Sequence, residues 1–323
     1  MTQLIPPFDF HKVLVAPWTT DLATFGWIAL MGFFVATACG LVGNYLILRR
    51  MALVGDAISH SVLPGLVVAF LIANSRHSTA MFLGALVSGI LTTLLIEVIH
   101  KKSRVKQDAA IGIAFSSLFA IGVILVSAFA SKVDLDQECV LYGEIGTIPL
   151  DQPFVQLGSF ILGPPTLVRM GIVTVVVALL IVVFYKELLV SSFDPGLAFS
   201  LGINATVVHY ALMAVLSVVV VSAFESVGAI LVIAMLILPG ATASLLTHRL
   251  PAVLSLTVLH AALSSALGVM LALWLECSIA AAMVVMGGVL FVLAWVLSPT
   301  QGLLRRWLHT RSGPLTEPET VGS

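Results

Sequence analysis

The chain has 323 residues, 59% hydrophobic and 10% charged, with a net charge of −1 and a mean hydropathy of +1.12. A soluble domain carries about 25% charged residues, so this composition excludes one, and repeated apolar runs of roughly 20 residues place the chain in a bilayer. The net charge says nothing about partners; the placement of the charges does.

The first 24 residues contain Pro6, Pro7, Asp9 and Asp21. They lack the basic start and apolar core of a signal peptide and read as an external or interfacial segment, 1–24. Apolar spans follow at 25–48, 51–73, 79–100, 109–130, 167–186, 207–223, 228–247, 252–275 and 278–298. The expected fold is all-α: a polytopic membrane bundle occupying 25–300. Only Phe224, Glu225, Ser226 and Val227 separate the sixth span from the seventh, so one of that pair is short or re-entrant, and eight full crossings is the alternative to nine. Residues 301–323 carry Pro314, Glu317, Pro318 and Glu319 without apolar periodicity, as expected of a disordered tail.

Basic residues set the direction. Arg49, Arg50, Lys101, Lys102, Arg104, Lys106, Lys186, Arg249, Arg305, Arg306 and Arg311 fall on one side, and Lys12, Arg76, Lys132 and Arg169 on the other. The positive-inside rule puts the larger set in the cytoplasm, with the N-terminus outside and the C-terminus inside.

Two loops differ in character. The outer segment 131–166 is long and acidic, with Asp134, Asp136, Glu138, Glu144 and Asp151. Three readings stay open for it: focusing of cations, docking of a basic partner, or plain solvation. The inner segment 186–206 contains Phe193-Asp194-Pro195-Gly196 and Leu201-Gly202. Asp194 is a capping side chain, Pro195 suits a first helical position and Gly202 suits a stop. This predicts a short surface helix over 195–201.

The most informative stretch is Gly55-Asp56-Ala57-Ile58-Ser59-His60-Ser61-Val62-Leu63-Pro64-Gly65. Asp56 and His60 are four residues apart, hence on one helix face. Burying such groups in hydrocarbon is costly, so they mark a functional site by default. A carboxylate oxygen and an imidazole nitrogen make half of a first-row metal site. Pro64 removes the N–H that would bond the His60 carbonyl. Counted along a helix from Arg50, Asp56 lies about 9 Å and His60 about 15 Å deep. The alternative is an internal pair that only fixes packing.

Glu225 is a further acidic residue in the apolar region, either a ligand in the same path or a headgroup-solvated hairpin tip, which the tight hairpin favours. His209 and His260 read as packing histidines. Glu97 and His100, beside Lys101, read as an interfacial charge cluster. Cys139 and Cys277 both fall outside, where a disulfide is feasible. No Gly-Lys-Ser/Thr phosphate loop, Gly-x-Ser-x-Gly, His-Glu-x-x-His or dinucleotide fingerprint occurs. If ATP drives this protein, another chain hydrolyses it.

The stretch Arg49–Gly65 resembles the integral-membrane permease of the manganese/zinc/iron ABC-transporter family. So do Val133-Asp134-Leu135-Asp136 with Leu141-Tyr142-Gly143, Ser192-Phe193-Asp194-Pro195 with Leu201-Gly202, and Val227-Gly228-Ala229 through Leu238-Pro239-Gly240-Ala241-Thr242-Ala243. The resemblance runs over roughly residues 20–300. It implies a type II-like importer fold in a bacterial plasma (inner) membrane and a second permease chain, identical or different. It also implies cytoplasmic ATP-binding subunits and an extracytoplasmic solute-binding protein. Asp56 and His60 match the family's metal-coordinating pair, and Phe193, Asp194, Pro195, Gly196, Leu201 and Gly202 match its ATPase-coupling element. The form of 134–144 is more like the manganese/iron branch, whereas Glu225 stands where other members often carry an uncharged residue. No permanently bound cofactor is expected, since manganese, iron or zinc would be cargo, and no nucleic-acid partner is expected. The competing readings are a proton-coupled secondary metal carrier, an importer of a metal chelate, and an intramembrane enzyme, for which no nucleophile–base set appears.

Overall fold

The computed structural model describes residues 6–73, 78–129, 145–157 and 160–298, the side chains of residues 78, 157, 160, 161, 225, 226, 229 and 230 excepted. The long helices are α1 (Leu22–Leu48), α2 (Val54–Ala73), α3 (Ser78–Lys102) and α4 (Gln107–Phe129). A two-stranded hairpin, β1 (Val155–Leu157) and β2 (Phe160–Gly163), precedes α5 (Pro165–Val183). The short α6 (Tyr185–Phe193) and α7 (Pro195–Ser200) lead into α8 (Ala205–Leu246), α9 (Leu250–Leu275) and α10 (Ile279–Leu297).

Helix α1 is the central post. It carries no charged residue and is buried through most of its inner half, against α8, α9 and α5. Small residues permit the close approach that drives packing where lipid is as apolar as the side chains. A side chain at Gly43 would collide with the Leu236 carbonyl of α8. Where α1 ends, the Met51 N–H donates to the Leu46 carbonyl at 2.8 Å and the Arg50 N–H to the Ile47 carbonyl at 3.0 Å. That paired capping turn requires a left-handed residue, and Arg50 fills the place at φ 59°.

This turn consumes residues 49–53, so α2 begins at Val54 rather than at 51. Asp56 and His60 are then about 3 Å and 9 Å from the start of α2, shallower than a helix counted from Arg50 would put them. Helices α2 and α3 touch backbone to backbone where Gly65 faces Gly84. Gly122 of α4 lies against Pro64.

Among the described residues, eight helices are long and apolar enough to cross a bilayer. Seven are α1–α5, α9 and α10, and the eighth is the first arm of α8, Ala205–Phe224. The second arm, Leu231–Leu246, is apolar but shorter, about 24 Å long. The two arms do not form one rod. Arg49 meets His209 near the start of the first arm, whereas Gly40 and Gly43 meet Pro239 and Leu236 of the second. Those α1 partners are separated by about 9–13 Å along α1, yet an unbroken helix would hold His209 and Leu236 about 40 Å apart. The chain therefore reverses, at Gly228, whose φ of 75° and ψ of 167° are non-helical. The pair 207–223 and 228–247 is thus a full pass and a short return pass.

The hairpin β1–β2 is antiparallel, pairing Gln156 with Ile161 and Leu157 with Phe160, and it is a small addition to an otherwise helical chain. On the same side the N-terminal segment is strapped to α9. Trp274 Nε1 donates to the Pro6 carbonyl at 3.1 Å, Phe8 packs edge-on against Trp274, and Lys12 pairs with Glu276 at 3.0 Å. Cys277 is exposed beside this strap, and Cys139 lies outside the described residues, as do residues 301–323.

Candidate functional site

Asp56 lies in the first turn of α2 and His60 one turn later. Helical spacing brings His60 Nε2 within 3.2 Å of Asp56 Oδ1, and both side chains are 34% exposed. That exposure matters, because a pair that only fixed packing would be enclosed, whereas this one keeps an open side. Phe115 and Phe119 of α4 flank the imidazole, with ring centroids 6.0 and 6.2 Å away. They leave its Nε2 edge free to face Asp56. Pro64 stands inside α2 one turn beyond and offers no N–H to the His60 carbonyl. Ser88 Oγ of α3 donates to the Ser61 carbonyl at 2.5 Å, fixing the backbone next to His60.

Asp56 and His60 are two groups of metal-ligating type. Among the described residues, no cluster of three or more His, Cys, Asp or Glu could hold a metal ion. Further along α2, from Pro64 onward, a groove of about 650 Å³ lies between α2, α3 and α4, lined by hydrocarbon from Pro64, Val68, Leu83, Val87, Leu118 and Ile121. The Glu225 backbone precedes the Gly228 reversal, and its side chain lies outside the described residues.

The expected short helix is present as α7. Asp194 Oδ1 accepts from the Gly196 and Leu197 N–H groups at 2.9 and 3.0 Å, Pro195 opens the helix, and Gly202 follows it at φ 78°. Phe193, Leu197, Phe199 and Leu201 are exposed, Phe199 at 84%. They form an apolar surface outside the spans.

His260 is buried as a packing histidine, its Nε2 donating to the Gly287 carbonyl at 3.2 Å. Of the expected cluster of Glu97, His100 and Lys101, Glu97 and Lys101 pair while His100 bonds elsewhere. His100 Nδ1 faces the Val105 carbonyl at 3.3 Å, while Glu97 pairs with Lys101 at 2.6 Å and with His209 Nε2 at 3.2 Å. Glu97 is buried while Lys101 reaches it from the exposed turn beyond, and His100 turns instead to the backbone that follows α3. His209 in turn meets Arg49 Nη1 at 3.3 Å. Arg49 also donates from Nη2 to Ser191 Oγ at 2.9 Å and from Nε to Ser192 Oγ at 3.1 Å. Burial lowers the Arg49 guanidinium from its ordinary range, but arginine stays charged in proteins. Each member was visible in the sequence, yet their association was not, because they lie on four different elements.

Of the acidic loop, Asp151 is described. Its Oδ2 accepts from Thr166 Oγ1 at 2.8 Å and from the Thr166 N–H at 3.3 Å, so it caps the first turn of α5 rather than standing free on the rim. Asp134, Asp136, Glu138 and Glu144 lie outside the described residues.

Residues 22–298 match the model of the ABC 3 transport family. The chain is 45% identical over 284 residues to the manganese transport system membrane protein MntD of Bacillus subtilis, covering 88% of this chain and 95% of that one. It is also 45% identical over 285 residues to the zinc transport system membrane protein TroD of Treponema pallidum, covering 88% and 77%. Among solved structures it is similar to PsaBC from Streptococcus pneumoniae in complex with Fab, with TM-score 0.73, 33% identity, and 92% of this chain and 100% of that one covered.

Proposed function

The chain belongs to the ABC 3 transport family, and on that footing we propose that it is the membrane-spanning subunit of an ATP-driven importer of a divalent transition metal: manganese, zinc or iron. The observation that carries the reading is the Asp56–His60 pair, two metal-ligating groups one turn apart on a membrane helix and open on one side. The relatives named for manganese and zinc transport support the same cargo class.

The chemistry follows from the ligand types. An anionic oxygen and a neutral imidazole suit manganese, iron and zinc alike. A second copy, or a related chain, packed over the open face would bring a second such pair and double the donors to four. The hydrocarbon groove beside Pro64 offers that partner an apolar surface. Two ligands per chain hold an ion well enough to select it and weakly enough to release it. Pro64 and the Ser88–Ser61 contact fix the backbone on which both ligands stand.

The energy source is a separate chain, since this sequence carries no phosphate loop. The capped helix α7, with Phe193, Asp194, Pro195, Gly196, Leu201 and Gly202 in and around it, is the surface that receives the ATPase on the cytoplasmic side. The N-terminus is then external and the C-terminus cytoplasmic, in a bacterial plasma membrane. A solute-binding protein delivers the ion from outside, where the 131–166 loop is acidic. Glu225, near the outer reversal of α8, is the further candidate for the ion path.

The deciding experiment reconstitutes the permease with its ATPase and binding protein in liposomes and measures uptake of radiolabelled manganese and zinc with and without ATP. Uptake that needs ATP and is lost in Asp56→Ala and His60→Ala, with assembly retained, supports the reading. ATP-independent uptake driven by a proton gradient would overturn it in favour of a secondary carrier.

A further inference from the structure

The polar chain Ser191/Ser192–Arg49–His209–Glu97 runs from the helix before the ATPase-facing surface to the helix that clamps the metal pair. We infer that Arg49 and His209 are positioning residues that transmit the set of α6 and α7 to α3, and through α3 to the backbone beside His60. The inference rests on the proposed function and deepens it.

The chemistry fixes the direction of each link. Arginine carries donors only. At 3.3 Å from Arg49 Nη1, His209 Nδ1 therefore accepts and holds no proton. The single imidazole proton is then on Nε2, pointing at Glu97 Oε2 3.2 Å away. His209 is a neutral connector of one tautomer, donating to Glu97 because it accepts from Arg49. The guanidinium fork is rigid, and its other edge is taken up by Ser191 and Ser192 of α6 at 2.9 and 3.1 Å. Asp194, which directly follows α6, caps α7, so a tilt of α7 under an attached ATPase would carry the two serines with it. Lys101 completes the site, pairing with Glu97 at 2.6 Å and lying 5.3 Å from the centre of the Tyr210 ring.

The far end reaches the metal pair through one rigid element. Glu97 and Ser88 share α3, about 13 Å apart along its axis. Ser88 Oγ donates to the Ser61 carbonyl, and the Gly65–Gly84 contact leaves no slack between α2 and α3. A shift at Glu97 is therefore delivered to the turn holding His60. Coupling of this kind is carried by hydrogen-bond networks and rigid elements that have two arrangements. The burial of Glu97, at 8% exposed, makes the arrangement exacting, because an unpaired carboxylate there is costly.

The test uses the complete complex of permease, ATPase and binding protein in liposomes, with manganese as the probe. The variants are His209→Ala, Arg49→Ala, and the milder double variant Ser191→Ala with Ser192→Ala. Three quantities are read: ATPase subunits retained per permease, ATP hydrolysis without binding protein, and manganese moved per ATP hydrolysed. The expected result is a fall in the third by at least about fivefold in His209→Ala and Arg49→Ala, the low end of ordinary coupling energies, with the first two unchanged. The serine double variant falls in the same direction, by less. His209→Ala combined with Arg49→Ala loses no more than the larger of the two single losses, since each interrupts the same serial chain. A wild-type manganese-to-ATP ratio in the assembled variants overturns the inference. If either large-effect variant fails to assemble, the serine double variant decides alone, and a wild-type ratio there overturns it equally. Failure of the proposed function reads differently: the unmodified complex itself would then move none of manganese, zinc or iron on ATP.

Discussion

Asn44 of α1 donates from Nδ2 to Thr257 Oγ1 of α9 at 2.9 Å, both residues being buried, and the same amide nitrogen donates to the Gly40 carbonyl at 2.8 Å. Thr257 passes its own proton to the Val253 carbonyl at 2.8 Å. The pair is a directional tie across the α1–α9 seam, which Ser265 Oγ also bridges by donating to the Ala29 carbonyl. Interhelical hydrogen bonds in membranes couple by about 0.6 kcal/mol on average and up to about 1.7. In a double-mutant cycle of Asn44→Ala and Thr257→Val, thermal unfolding in detergent should return a coupling energy in that range. Additive losses would mean that the tie contributes only shape.

At the metal pair, His60→Ala or Asp56→Ala should cost uptake at least the 10–100-fold seen for loss of a mere outer-shell partner, with the complex still assembled. Acidification should act in the same direction in the unmodified protein. A ligating imidazole must be neutral, so protonation competes with metal and uptake falls as pH is lowered. Initial rates of manganese uptake at fixed gradient across pH 5 to 8 would check the sign, and a rise on acidification would rule out His60 as a ligand.

Asp194 accepts from two N–H groups at the start of α7. Removing such a cap costs about 1 kcal/mol, which in a six-residue helix is enough to fray it. Asp194→Ala should weaken ATPase attachment while leaving metal binding intact, and Asp194→Asn, which keeps the acceptor, should restore much of it. Quantifying co-purified ATPase per permease distinguishes the two. Charge introduced at Phe199 should act more strongly, because that ring is the most open of the apolar set.

Gly228 and Arg50 give a contrast in backbone strain. Gly228 occupies a region open to glycine almost alone, where another residue costs about 1–3 kcal/mol. Arg50 already bears a left-handed conformation at φ 59°, worth about 1–2 kcal/mol. Gly228→Ala should lower the melting temperature, whereas Arg50→Gly should hold or raise it. Fluorescence-detected melting of the purified permease tests both together.

For the acidic outer loop, neutralising Asp134, Asp136 and Glu138 should raise the binding-protein concentration needed for half-maximal transport. If these charges steer docking through solvent, the effect should shrink at high salt, which screens such interactions. Asp151→Ala should not behave this way. Its carboxylate holds Thr166, so its loss should appear as reduced stability. A salt-sensitive docking defect in Asp151→Ala would place it on the rim after all.

The spans were legible because hydrocarbon burial leaves a run-length signal that needs no partner information. The Asp56–His60 contact was legible for a similar reason, being two costly groups at helical spacing in one run. The start of α2 was misplaced because the capping turn at Arg50 lacks the usual glycine. Helix α6 is hard to see in the sequence, because only Leu188 and Ser191, three apart, are its buried positions. The hairpin β1–β2 was hidden in a loop whose strands are three and four residues long. Least legible was the Arg49–His209–Glu97 association. Its links join positions 160 and 112 residues apart, and no local pattern marks which charged groups will meet.

The reversal at Gly228 also decides the parity of the chain. Among the described residues, eight spans and the return arm Leu231–Leu246 make an odd number of passes, which would leave Leu22 and Leu297 on opposite faces. Were α8 straight, α9 and α10 would be inverted and every residue after it would face the wrong compartment. One conformationally permissive position thus sets the sidedness of the C-terminal quarter. Reporter fusions placed after Thr247 should exchange compartments in any variant that straightens α8, well before any loss of the helices themselves.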